Sequence, residues 1–351
     1  MSSYTDQRQK HITKMMREIL SELPPYLFDF FRGIEHTTSM NTRLAYAYDL
    51  RLFFEYLYKE YPPCKALNSI REIPLELIEK VSPRDLEMYL EYLTYYEKEE
   101  GHEDIVSHQN GLKGKARKLS SLKSFYQYFY KQQRILTNPS ALVDMPKIHE
   151  KPIVKLDVDE VARLLDTVED GTDLTDHQKR YHAYTKKRDL ALISLLLGTG
   201  IRVSECVGLN IEDIDFNYNG IRITRKGGNE TIIYFGNEVE RALLDYLEER
   251  EEKVCKEDDT PLFLSLQNKR MSVRSVQILV KKYSQLVTQL KTITPHKLRS
   301  TYGTTLYQET GDIYLVADVL GHKDVNTTKK HYAQMDDARR RMAAGIVKLR
   351  D

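Results

Sequence analysis

The sequence predicts a mainly α protein with a small antiparallel β-sheet, arranged in two domains. Three observations predict it. Apolar residues recur at helical spacing through most of the chain. Residues 211–235 are instead rich in β-formers and are broken by Asn217-Tyr218-Asn219-Gly220 and Gly227-Gly228-Asn229, which are hairpin-turn residues. Finally, 351 residues suffice for two domains at roughly 150 residues each. Pro146 and Pro152 oppose helix at a natural dividing point.

In chain order, residues 1–35 read as an N-terminal helical extension, amphipathic over 11–20 and ended by Pro24-Pro25. Residues 36–145 read as a helical domain. Ser39 or Asn41 caps a helix bearing Leu44, Tyr48, Leu52, Phe53 and Tyr56, and Pro62-Pro63 ends it. Ser82-Pro83 starts another, with Leu86, Tyr89, Leu90 and Leu93. A third spans about 114–132, with Leu119, Leu122, Tyr126 and Phe129 on one face and lysines around the rest. No strand is expected in this half. Residues 146–155 read as a linker, and 156–351 as a second domain. There Asp157 caps a helix, 187–197 form an apolar helix ended by Gly198-Thr199-Gly200, and Arg202 opens a short helix. Strands over 211–216, 220–225 and 231–235 follow, then helices from Glu238 to a C-terminal helix at 336–349.

Composition excludes several classes. The longest apolar run, 190–197, is far short of the ~20 residues a membrane span needs. The first fourteen residues are polar and carry no secretory signal. Cys64, Cys206 and Cys255 are odd in number, far apart and without metal-ligand spacing, which points to reduced thiols in a cytoplasmic protein.

The formal net charge is only +1, but the charges are segregated. Residues 105–143 hold no Asp or Glu and carry Lys113, Lys115, Arg117, Lys118, Lys123, Lys131 and Arg134. Residues 260–308 are again acid-free, with Lys269, Arg270, Arg274, Lys281, Lys282, Lys291, Lys297 and Arg299. One such window is an ordinary solvated face as often as not. Two windows in two domains suggest two surfaces for one polyanion. Lys113, Lys115, Arg117, Lys118, Lys123, Arg270 and Arg274 are the candidate DNA contacts, reading bases or, in the plainer alternative, touching only phosphates.

Four short motifs offer chemistry. In Gly198-Thr199-Gly200-Ile201-Arg202, an arginine at a helix start makes a phosphate site, or else a glycine cap followed by a surface arginine. In Thr294-Pro295-His296-Lys297-Leu298-Arg299, the His and Arg share one helix face. Leu320-Gly321-His322-Lys323 is followed ten residues on by Tyr332, one of 24 tyrosines. Lys226 stands at the hairpin turn in Thr224-Arg225-Lys226-Gly227-Gly228, where an ordinary polar turn is the commoner meaning.

Together, the order Arg, Lys, His-x-x-Arg, His, Tyr resembles the tyrosine recombinase/integrase family over about residues 35–345. Within it the pattern is most similar to the Xer recombinases, and to the XerS branch in which one recombinase acts alone on a dif-type site. The resemblance implies a two-domain tyrosine recombinase fold, a helical core-binding domain plus an α+β catalytic domain. It implies that Tyr332 is the nucleophile that forms a 3′-phosphotyrosyl bond, and that Arg202 and Arg299 hold the non-bridging oxygens. It makes His296 the proton acceptor, His322 a hydrogen-bond donor to the phosphate and Lys226 the general acid, with Glu205 orienting Arg202. It implies no metal and no cofactor. The implied partners are double-stranded DNA with a dif-type site, three further copies in a homotetramer on two sites, and an FtsK-type DNA translocase, in chromosome-dimer resolution during cell division. The C-terminal helix docks on a neighbour or folds back on its own domain.

Rival readings keep parts of this pattern. A phage or conjugative-transposon integrase shares the chemistry, and a type IB topoisomerase shares the tyrosine. A non-catalytic DNA-binding regulator would share the fold but would lack some of the six residues. A two-metal nuclease needs clustered carboxylates, which the acid-free stretch around His296 does not supply.

Overall fold

The computed structural model describes residues 4–100, 104–148, 153–225, 228–251, 260–322, 325 and 328. The chain divides into two compact units, Ser2–Glu150 and Lys151–Asp351. Each is built around its own apolar core.

The first unit contains α1 (Tyr4–Ser21), α2 (Tyr26–Gly33), α3 (Met40–Glu60), α4 (Leu75–Lys80), α5 (Pro83–Tyr92), β1 (Tyr96–Glu100), β2 (Asp104–His108) and α6 (Leu112–Lys131). The start signals act as the residue types predict. Ser39 Oγ accepts from the Thr42 amide, and Ser82 and Asp85 cap α5 reciprocally with Pro83 in its first turn. The core is aromatic: Phe125 of α6 meets Phe30 at 5.7 Å and Phe54 at 6.0 Å, both edge to face. Ile19, Leu20 and Leu23 belong to the same core, so the N-terminal extension packs with the helices that follow it.

One expectation fails here. The segment expected to be free of strand contains a hairpin, β1 against β2, with Tyr96 opposite His108 and Lys98 opposite Val106. The residues Tyr-Glu-Lys-Glu-Glu show no apolar alternation, so a pattern search passes over them. Backbone pairing and the stacked rings of Tyr96 and His108, 5.2 Å apart, hold the ribbon instead.

The second unit contains α7 (Val158–Asp170), α8 (Asp176–Thr199), α9 (Val203–Gly208), β3 (Ile214–Asp215), β4 (Gly220–Thr224), β5 (Glu230–Tyr234), α10 (Asn237–Glu251), α11 (Val273–Val287), α12 (Pro295–Thr310) and α13 (Ile313–Leu320). Helix α8 is the central element. It buries Leu192, Leu195 and Leu196 and packs against α7, α10 and α12. The three strands form an antiparallel sheet in the order β3-β4-β5, with Ile221 opposite both Ile214 and Ile233. Alternation then turns Ile221 and Ile223 into the core and Arg222 and Thr224 outward. The expected first strand is shortened, because Ile211–Asp213 form a single tight helical turn capped by Asn210 and Asp213.

Cys64 and Cys206 are buried free thiols, and burial pushes the Cys206 thiol far up. Cys255 and the expected C-terminal helix lie outside the described residues. Among the described residues no helix is long and apolar enough to cross a membrane.

A buried carboxylate in the first unit gives a pH prediction. Asp49 of α3 is 2% exposed and pairs with Arg117, with the Lys118 ammonium 3.8 Å away. Burial pushes its carboxyl up to about 6 against the pull of these two cations. The folded state therefore holds the proton more tightly than the unfolded chain. Stability should rise as pH falls from about 7 towards the ordinary carboxylate range, and be lost again as pH rises through about 6. Urea unfolding followed by circular dichroism at pH 5 and pH 7 would measure this. Asp49→Asn should flatten the difference, and an unchanged difference would assign it to another group.

Candidate active site

Gly200 ends α8 in the left-handed conformation, with φ 62°, and the chain reverses into α9. Arg202 is the residue before α9 and is fixed twice by one carboxylate. Its backbone N–H donates to Glu205 Oε2 at 2.8 Å, and its Nη1 donates to Glu205 Oε1 at 2.7 Å. The Glu205 side chain is only 5% exposed, whereas that of Arg202 is 34% exposed, so the guanidinium edge still reaches solvent.

Helix α12 carries Arg299 in its second turn. Pro295 occupies the first turn, where its missing N–H costs nothing, but the Thr294 side chain makes no capping bond. Arg299 is buried, 6% exposed; its Nη1 donates to the Gly200 carbonyl at 2.5 Å and its Nη2 to that of Leu320. His296, three residues earlier, is exposed; its Nδ1 lies 3.5 Å from Ser300 Oγ. Arg299 thus reaches the cluster while the His296 ring stays exposed on the first turn.

These bonds meet at one place, the C-terminal end of α13. The last carbonyls of a helix lack internal partners and form the negative end of its dipole. Here successive carbonyls each take a guanidinium: Val319 from Arg225 at 2.7 Å, Leu320 from Arg299, and Gly321 from Arg202 at 3.2 Å. Gly321 closes the helix with φ 62°, and His322 follows it, its Nδ1 2.7 Å from the buried hydroxyl of Thr328. Burial lowers the Arg225 pKa, and Arg202 adds to the effect, while Glu205 and Asp318 oppose it. A guanidinium has five N–H donors, and each of these spends only part of its set on carbonyls. Several guanidiniums partly withdrawn from water suit a phosphate oxygen.

Of the six expected residues, Arg202, Arg299 and His322 come together around the α13 terminus, and His296 sits one helical turn from Arg299. Lys226 and Tyr332 lie outside the described residues. Arg225 joins the cluster although sequence reasoning passed over it. Its position beside the hairpin lysine was the available signal.

The basic windows are used partly within the fold. Lys118 is 8% exposed and donates to Asn110 Oδ1 at 2.9 Å. Lys123 donates to the Val143 carbonyl at 2.8 Å, and Lys115 to Thr94 Oγ1 at 2.7 Å. Arg117 pairs with Asp49. Arg270 binds the carbonyls of Val207 and Leu209 at 3.0 and 2.9 Å and Asn210 Oδ1 at 2.6 Å, tying α11's approach to the end of α9. Lys113 and Arg274 are exposed.

Residues 155–339 match the phage integrase family. The chain is 34% identical over 331 residues to tyrosine recombinase XerC of Caldanaerobacter subterraneus subsp. tengcongensis, covering 91% of this chain and 86% of that protein. It is similar in fold to XerH site-specific recombinase bound to a palindromic difH substrate, with a TM-score of 0.62 and 21% identity, covering 99% of this chain and 97% of the other. It is likewise similar to the Tn1549 transposon integrase in complex with circular intermediate DNA, with a TM-score of 0.62 and 24% identity, covering 89% of this chain and 97% of that one.

The turn that presents Arg202 tolerates only glycine at position 200. A Cβ there would stand 2.5 Å from Tyr302 Cδ1 and 3.0 Å from Leu320 Cδ2, in a left-handed conformation that disfavours side chains. Gly200→Ala should therefore cost about 1–3 kcal/mol of stability in a thermal or urea melt. A melt unchanged from the parent would mean that the turn can shift without cost.

Proposed function

This chain belongs to the phage integrase family of tyrosine recombinases, enzymes of DNA strand exchange, and from that premise we propose that it cuts and rejoins double-stranded DNA at a specific site through a covalent bond to Tyr332. The observation that carries the proposal is the meeting of Arg202 and Arg299 at one helix end, directly beside His322.

On this reading the Tyr332 oxygen attacks the scissile phosphorus and the bond to the 5′-oxygen breaks. His296 accepts the tyrosine proton, and Lys226 donates one to the departing 5′-oxygen. One phosphodiester is exchanged for a 3′-phosphotyrosyl ester of similar energy, so the reverse attack by a 5′-hydroxyl reseals a strand. Charge accumulates on the non-bridging oxygens in the transition state, which is where two preorganised guanidiniums contribute most. His322 adds a hydrogen bond to the same phosphate. Glu205 holds Arg202 at both its backbone N–H and its Nη1, and this double hold suits the pair to the task. A planar fork meets two oxygens at once, so Arg202→Lys would be a poor replacement.

The finer assignment is a Xer recombinase of the single-recombinase XerS type that resolves chromosome dimers at a dif-type site. The identity to a XerC supports the Xer part. The same reading makes the first unit the core-binding domain and the second the catalytic domain. It also brings a homotetramer on two DNA sites and control by an FtsK-type translocase. The difH substrate of XerH makes a dif-type sequence the first DNA to try.

Covalent trapping tests the proposal. The protein is incubated in chelator with a duplex carrying a dif-type site and a nick that lets the cut fragment escape, then run on a denaturing gel. The parent should give a shifted protein–DNA band. Tyr332→Phe should bind the duplex equally and give no band, because only the nucleophilic oxygen is removed. A band from Tyr332→Phe would place the nucleophile elsewhere.

A further inference from the structure

We propose that Arg225 is a positioning residue of this active site: it holds the C-terminal end of α13 in register so that Arg202 and Arg299 face one phosphate. The proposal rests on the phosphate reading of those two arginines given above.

Arg225 directly follows β4, and its main chain is fixed by backbone bonds to the residues just before β5. Its N–H donates to the Asn229 carbonyl at 2.8 Å and its carbonyl accepts from Gly228 at 3.0 Å. From this fixed base the side chain crosses to α13, where Nη2 reaches the Val319 carbonyl at 2.7 Å. The sheet is thereby tied to the helix end that also receives Arg299 and Arg202.

The contact with Gly321 is closer still. A methyl group built on Gly321 would coincide with the Arg225 guanidinium. The guanidinium therefore fills the space beside the residue whose carbonyl takes Arg202 and whose successor is His322. Without it, the flank of Gly321 is empty and the last turn of α13 is free to shift. Both arginine contacts and His322 would move with it.

Arg225 acts through this helix end and not by touching DNA. Its Nη1 is buried, packed over Gly321, and finds no hydrogen-bond partner among the described residues. Its charge nevertheless adds to that of Arg202, with Glu205 and Asp318 opposing. An excess of positive charge at a half-buried site favours an arriving anion.

The test uses the full chain and the nicked duplex with three scissile linkages. One is the ordinary phosphate. In the second, a methyl replaces a non-bridging oxygen, so the linkage is neutral and needs less help from cations. In the third, sulfur replaces the leaving 5′-oxygen and needs no acid. Arg225→Met should bind the duplex like the parent and slow trapping on the phosphate by about tenfold to a hundredfold. It should slow trapping on the neutral linkage much less. Arg202→Met should show the same sparing, more strongly, while Lys226→Ala should be spared only on the sulfur linkage. If Met costs the fold in a thermal melt, Arg225→Gln keeps one N–H for Val319 and takes its place.

Equal slowing on all three linkages would reduce Arg225 to general support and overturn the proposal. Sparing on sulfur alone would mean that it acts through Lys226, and no slowing would also overturn it. If the parent traps but Arg202→Met is not spared on the neutral linkage, the phosphate reading of Arg202 fails, and the Arg225 proposal fails with it.

Discussion

Everything proposed for the site depends on the carbonyls that end α13. A helix terminus is an unfinished hydrogen-bonding surface, and proteins usually complete it with a glycine cap and water. Here the cap is Gly321, but three guanidiniums from three other elements supply the donors. Arg202 comes from the start of α9, Arg225 from the end of β4 and Arg299 from α12. Each contact is modest in isolation, because a neutral carbonyl replaces water as the acceptor. Their joint effect is geometric. Three long, flexible side chains are fixed at one point, and their ordering entropy is spent at folding and not when DNA is bound.

The carbonyl row also resolves an electrostatic problem. Arginines crowded together repel one another, and Glu205 offsets part of this through its ion pair with Arg202. The negative end of α13 supplies partial compensation without supplying a full charge. A second carboxylate at this point would neutralise the site for its own anion. Dipoles hold the arginines in place while leaving them electropositive, which is the condition for binding a phosphate.

Much of this was legible in the sequence. Gly198-Thr199-Gly200 announced a helix end, Arg202 a helix start, and Thr294-Pro295 another start, and each stands where expected. The three-stranded sheet was readable because turn residues and alternating isoleucines coincide in one short stretch. The β1–β2 hairpin was not, since its strands are charged and carry no alternating apolar face. Arg225 was hidden for a different reason. Nothing local distinguishes it from any arginine near a turn, and its role exists only because α13, some ninety residues later, returns to it. Long-range contacts of this kind leave no periodic trace.

Charge counting along the sequence overstated the surface available to a polyanion. Lys118 and Arg270 lie in the acid-free windows, yet one is buried beside Asp49 and the other binds carbonyls at the end of α9. Arg117 carries a charge outward but shares it with Asp49. A cation that is already paired releases fewer counterions on meeting DNA, so it contributes less than a free one to affinity. Acid-free sequence has a second origin in this protein. Helices α6 and α11 and the loop before α11 use their cations as internal fasteners, and acids placed beside them would compete for the same donors. On the proposed reading, the exposed Lys113 and Arg274 are left to meet phosphates, while their neighbours keep the helices that carry them rigid. The near-zero net charge of the chain then agrees with DNA binding, because the balance over the whole surface matters less than which few cations remain unengaged.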